Sequence, residues 1–232
     1  MEKIIYALWA DQDRASFNAA LLAELAPKLS ALGAKHLRVN VQDDAVSAGA
    51  VLIQKATDPQ FDAAIQFWLP SANPIFREAV DDCIAAHCRR FAAWLVVEST
   101  IIANHQHRPA SGKRTEGFSQ LAFLTKPARL SWEQWRVIWQ TSHTQVAIDT
   151  QSNFEYVQNL VVRPLTEDAP DFVAIVEECF PLAAVTDPLI FFDAAGDQDK
   201  FDRNLATMMQ SCDRFIDRGS IDVILTSQFD LD

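Results

Sequence analysis

The sequence predicts an α+β fold: two ferredoxin-like β-α-β-β-α-β modules in one chain, packed sheet to sheet as an intramolecular α/β barrel. Three observations lead there. A polar, turn-rich connector, "ANHQHRPASGKRTEG" from Ala103 to Gly117, divides the 232 residues into nearly equal parts. The same order of strand and helix patterns can be read on either side of it. Finally, "AIQFWLP" in the first part nearly superimposes on "AIVEECFP" in the second, which sets Gln66 opposite Glu177. The boundaries that follow are a module over 1–104, a linker over 105–116 and a second module over 117–232. A four-stranded antiparallel sheet with two apolar faces must cover both, one with its helices and the other with a second sheet.

The first part opens with "KIIYALW", whose β-rich composition suits a buried strand. "RASFNAALLAELAPKLSALG" is rich in Ala and Leu and stops at Gly33, as a helix does; Pro27 predicts a kink or break within it. "HLRVNV" and "DAAIQFWLP" read as strands, "NPIFREAVDDCIAAHCRR" as a helix with Pro in its first turn, and "AAWLVVESTII" as the closing strand. In the second part "FSQLAFLT" is a strand. "SWEQWRVIWQTSHTQVAID" is a helix whose Ser131 and Gln134 form a capping box. "FEYVQNLVV" and "DFVAIVEECFP" are strands. A helical region over about 188–216, interrupted near "AAGDQD", precedes the final strand "SIDVILTSQ".

Composition narrows the function classes. Hydrophobic residues make up 49% and charged residues 22%, which is enough apolar surface for a substantial core. A formal charge of −11 argues against a nucleic-acid partner, because phosphate binding needs clustered Lys and Arg. No apolar run reaches membrane-spanning length, and "MEKIIYALWADQD" lacks the form of a signal peptide, so no membrane partner and a cytoplasmic location are expected. The four cysteines suit reduced thiols. "CIAAHC" places Cys83 and His87 on one helical face, but no second pair completes a tetrahedral site, and "HQH" at 105–107 lies in the connector. Neither a metal nor a cofactor is expected.

One helix draws attention as a site. Trp132, Trp135, Trp139 and His143 follow at spacings of three, four and four, so a regular α-helix puts them on one stripe, continued by Val146 and Ala147. On that reading His143 faces the sheet. Along "FEYVQNLVV", alternation puts Tyr156 and Gln158 on one face and Asn159 on the other, while Glu177 shares a face with Ile175 and Cys179. The pattern leaves open which face meets the helix. His143 is then a candidate general acid/base, with Glu177 as a carboxylate partner. Trp135, Trp139 and Phe123 are candidate aromatic walls, and Tyr156, Gln158 and Asn159 candidate substrate-binding groups. The plainer alternative is a core histidine paired with a backbone carbonyl. Tyr6 and Trp9 on the first strand are weaker candidates.

Over roughly Phe118 to Phe229 the chain resembles the EthD-like family of the dimeric α/β-barrel superfamily. The resemblance is carried by "WEQWRVIWQTSH", with Trp139 four residues before His143, by "YVQNLVVRPL", and by the acidic "VEECF". The first half matches only in outline and has no counterpart of His143, which implies a degenerate first module and a site kept in the second. The resemblance implies a small aromatic or polyketide-like apolar substrate and proton abstraction, dehydration or cofactor-free oxygenation. The alternative is a non-catalytic binding protein for a small apolar metabolite. Haem ligation by His143 has no other support in the sequence. Homo-oligomer formation stays open.

Overall fold

The computed structural model describes residues 1–231. Eight strands form one closed antiparallel barrel in the order β1-β3-β2-β8-β5-β7-β6-β4. They are β1 (Glu2–Trp9), β2 (Lys35–Val41), β3 (Ala63–Leu69), β4 (Arg90–Ile102), β5 (Phe118–Leu124), β6 (Glu155–Pro164), β7 (Ala174–Phe180) and β8 (Asp222–Asp230). The strands of the first half sit together, as do those of the second. Two seams join them: β2 pairs with β8, and β4 with β6. Closure leaves no free sheet edge, which is how the chain satisfies backbone groups that an open sheet would expose.

The helices lie outside the barrel. In the first half α1 (Arg14–Ala20), a π-helical turn (Leu21–Leu25) and α2 (Ala26–Ala31) run continuously, followed after β3 by α3 (Pro74–Ala85). Pro27 is the second residue of α2, directly after the π-helical turn within the continuous helical run. Leu21, Leu25 and Leu29 pack with Ile4, Tyr6, Leu8 and Phe67 into the outer core of this half. In the second half α4 (Trp132–Val137), a second π-helical turn (Ile138–His143) and α5 (Thr144–Thr150) form the first helix. Its start is the expected capping box between Ser131 and Gln134. The later helical region divides into α6 (Pro188–Phe191) and α7 (Gln198–Asp213), the latter capped by Asp197 where the sequence showed a break. Trp135, Trp139, Tyr156, Val176 and Phe215 make the outer core here.

The connector between β4 and β5 contains no strand or helix, but it is fastened. Gly112 N–H donates to the Asp230 carbonyl at 2.7 Å and Thr115 N–H to the Gln228 carbonyl at 2.9 Å. Gly117 enters β5 at φ +115°, and a Cβ there would stand 2.3 Å from the Phe180 carbonyl oxygen, so only glycine fits.

Candidate functional site at the barrel mouth

Inward-facing residues can be identified by bonds that skip a strand. Lys3 on β1 reaches Asn159 on β6, although β4 lies between. Asn40 on β2 reaches Ser119 on β5 and Glu177 on β7, past β8. Period-two alternation then fills in the rest of each inner face. The lumen has three levels.

One end is packed with aromatic rings: Trp9, Phe61, Trp94, Phe123 and Phe172. Phe61 and Phe123 centroids lie 4.4 Å apart. The indole N–H groups of Trp9 and Trp94 donate to the carbonyls of Pro59 and Pro170, so this end is closed and its polar atoms are satisfied.

A polar belt crosses the middle, centred on Glu177, which is fully buried. Its carboxylate accepts from Asn40 Nδ2 (2.7 Å), Gln66 Nε2 (2.8 Å), Ser119 Oγ (2.9 Å), Gln228 Nε2 (2.9 Å) and Arg38 Nη1 (3.0 Å). Burial by itself pushes a carboxyl up. Here the Arg38 guanidinium and the side-chain donors outweigh it and hold Glu177 at about 2. Glu177 is therefore a fixed anion with every lone pair engaged, unsuited to exchanging protons at cellular pH. The Arg38 fork is held in turn by Glu177, Glu155 and Asp230 at 2.7–3.0 Å.

The other end opens into a cavity of about 810 Å³, bordered by Lys3, Arg38, Gln66, Trp68, Glu98 and Glu155 and by the connector from Ala103 to Pro109. That volume suits a small organic molecule. Lys3 is 5% exposed. Its ammonium donates to Glu98 Oε2 at 2.6 Å and Asn159 Oδ1 at 2.8 Å, and stands 4.9 Å from the centre of the Trp68 ring. Burial lowers the Lys3 pKa from its ordinary value, with Glu98 acting in the opposite direction. Gln66 uses its amide NH₂ toward Asn40 and Glu177. Its Oε1 is buried and finds no donor among the described residues. An unpaired buried acceptor costs about 1–3 kcal/mol, and this one belongs to a cavity-lining residue.

The residues expected from sequence to share a pocket are divided by the sheet. Glu177, Asn159 and Phe123 face the lumen at different levels. Trp135, Trp139, Tyr156 and Gln158 lie on the outer, helix-covered side, where Gln158 Nε2 donates to Thr144 Oγ1 and to the Tyr156 hydroxyl, both at 2.8 Å. His143, contrary to the helical wheel, does not face the sheet. Its Nδ1 lies 2.9 Å from Ser211 Oγ on α7, and its ring lies tilted at 56° to Phe215 with the centroids 4.5 Å apart. The π-helical turn supplies the reason: one extra residue per turn rotates everything after it, so Thr144 takes the inward position that regular spacing gives His143. Burial and the nearby Arg214 lower the His143 pKa to about 4, leaving the ring neutral at cellular pH.

Lys3, Arg38, Gln66, Trp68 and Glu98 are the site residues that sequence reasoning missed. A signal existed. Charged residues on the alternating inner face of otherwise apolar strands, as in "KIIYALW" and "HLRVNV", are rarely buried without a partner or a task. Among the described residues no group of three or more His, Cys, Asp or Glu could hold a metal ion. His87 Nδ1 instead donates to the Cys83 carbonyl within its own helix. No described helix is long and apolar enough to cross a membrane.

The fold is a closed, eight-stranded antiparallel barrel with its helices outside. No family model matches the chain, and no curated protein does. Among solved structures, an anthrone oxidase-like protein shares 8% identity over all of this chain and 91% of its own, with a TM-score of 0.52. A candidate monooxygenase from Lactobacillus acidophilus NCFM shares 10% identity over 98% of this chain and 93% of its own, with a TM-score of 0.49. At such identity the likeness is one of fold.

Proposed function

We propose that the barrel mouth binds a small, flat molecule bearing a hydrogen-bond donor, a hydroxylated aromatic or polyketide-like compound, and that the Lys3–Glu98 pair exchanges a proton with it. The observation that carries this is the unpaired Oε1 of Gln66, buried beside a cavity that also offers the Trp68 ring and the paired charges of Lys3 and Glu98. A hydroxyl would satisfy Gln66, and an aromatic face would lie against Trp68. The substrate class agrees with the EthD-like resemblance and with the anthrone named for one structural neighbour, a polycyclic aromatic ketone. On this proposal the two halves are ferredoxin-like modules of a tandem duplication. The proton-transferring role then moves from His143, which packs outside the barrel, to Lys3.

Calorimetric titration with 2-naphthol and with naphthalene tests the reading. Pairing a buried acceptor is worth roughly 1–3 kcal/mol, so 2-naphthol should bind about 5- to 150-fold more tightly. Gln66→Leu should abolish the difference. Equal affinities in the unaltered protein would sink the proposal. A purely binding role is favoured by one feature, the saturation of Glu177. It predicts that Lys3→Met changes affinity but that no hydroxylated ring compound is turned over.

A further inference from the structure

The two halves of the lumen correspond through their registers. Ile5 faces Gln66 in the β1–β3 pairing and Leu121 faces Glu177 in the β5–β7 pairing, which sets Lys3 in the place of Ser119. In the same way Ala64 pairs with Asn40 and Ile175 with Asn159, which equates the two asparagines. The bonds repeat accordingly: Ser119 meets Asn40 at 3.3 Å, and Lys3 meets Asn159 at 2.8 Å. A neutral hydroxyl thus performs the framework duty in one half. The amine in the other half exceeds what the barrel requires, and it borders the cavity.

From this juxtaposition we infer that Lys3 is a nucleophile that captures a carbonyl-bearing ligand as an imine, with Glu98 handling the proton. The inference rests on the mouth cavity as the binding site. Glu98 Oε2, 2.6 Å from Nζ, takes a proton from the ammonium. The freed amine attacks the carbonyl carbon, forming a C–N bond and opening the C=O bond, and one of its N–H protons passes to the oxygen to give the carbinolamine. Glu98 returns the proton to the carbinolamine oxygen, which leaves as one water, and a protonated imine remains beside the Glu98 carboxylate. Nothing is oxidised or reduced. Asn159 holds Nζ in place throughout, and the loss of hydration that lowers the Lys3 pKa makes the neutral amine easier to reach. The ligand class is an aromatic aldehyde or ketone.

The probe is 2-hydroxy-1-naphthaldehyde, added in equimolar amount near neutral pH to the full chain, reduced with borohydride and mapped by peptide mass. Lys3 should carry the adduct and react at least about tenfold faster than Lys55, a lysine with a half-exposed side chain. Lys3→Arg should remove the fast adduct while melting like the unaltered protein. Glu98→Gln should slow it by at least about a hundredfold, the loss expected when a general acid/base is removed. Prior addition of 2-naphthol should protect Lys3. If 2-naphthol binds but Lys3 reacts no faster than Lys55, the nucleophile is wrong and the cavity stands. If 2-naphthol does not bind and does not protect, the cavity reading falls and this inference with it.

Discussion

Gln66 on β3 donates through Nε2 to Glu177 on β7 at 2.8 Å, across the lumen and between strands that are not neighbours. The two residues occupy matching registers in the two halves, facing Ile5 and Leu121 respectively. One half contributes an amide at this position and the other a carboxylate, and the barrel is closed around their contact. The carboxylate is saturated with donors, while the amide keeps one acceptor unpaired. That imbalance points the mouth cavity toward a ligand carrying a donor.

Glu177→Gln tests the belt. A neutral amide would turn its NH₂ either toward the donors of Asn40, Ser119 and Gln228 or toward those of Gln66 and Arg38, and in both cases would leave Arg38 short of a counter-charge. Breaking a buried, hydrogen-bonded ion pair in this way costs roughly 3–5 kcal/mol, measurable by urea unfolding. Acid should act in the same direction. The folded-state value of about 2 lies below the ordinary 4.5, so the unfolded chain binds the proton first. The contribution is complete above 4.5 and is lost as pH falls toward 2, and the variant should lack this acid-dependent part.

Glu178, the next residue, points to the other face and behaves oppositely. Burial pushes it up to about 7, only partly offset by a hydrogen bond from Asn153 Nδ2 at 2.9 Å. Here the folded protein binds the proton more tightly than the unfolded chain. Stability should fall as pH rises from about 4.5 to 7 and then level off. Glu178→Gln should flatten that slope and gain about 1–3 kcal/mol at pH 8. A variant that keeps the slope would show that another group causes it.

His143 should titrate near 4 by NMR, because burial and Arg214 disfavour its charged form. Since the unfolded chain takes up that proton first, stability should decline as pH drops from 6.5 toward 4. His143→Gln should remove this decline. It should leave 2-naphthol affinity in the barrel mouth within about twofold, because distant, uncoupled sites act independently. A large loss of affinity would return His143 to the site.

Much of the element pattern was legible because it rests on local rules. Alternation and β-branched residues marked the eight strands, Ser131 with Gln134 marked a helix start, and "AAGDQD" marked the gap before α7. The connector was visible in its composition, though not its attachment to β8. The site was read less well. A wheel drawn at 3.6 residues per turn cannot anticipate a π-helical turn, and that single added residue moved His143 from the sheet to α7. Lys3 and Arg38, charged residues in otherwise apolar strands of the first half, carried a signal in their positions on the alternating inner face.

The sequence by itself determined the strands and helices, their order in each half, and the apolar faces that demand cover, because periodicity and capping act over a few residues. Only the tertiary structure decided which faces turn inward and which distant side chains meet. Closing the barrel brings Arg38, Gln66 and Gln228 onto Glu177 from strands far apart in the chain, and fixes its charge through neighbours that no local pattern names. The same closure sets both Lys3 and Gln66, with its unpaired Oε1, on the cavity at the mouth.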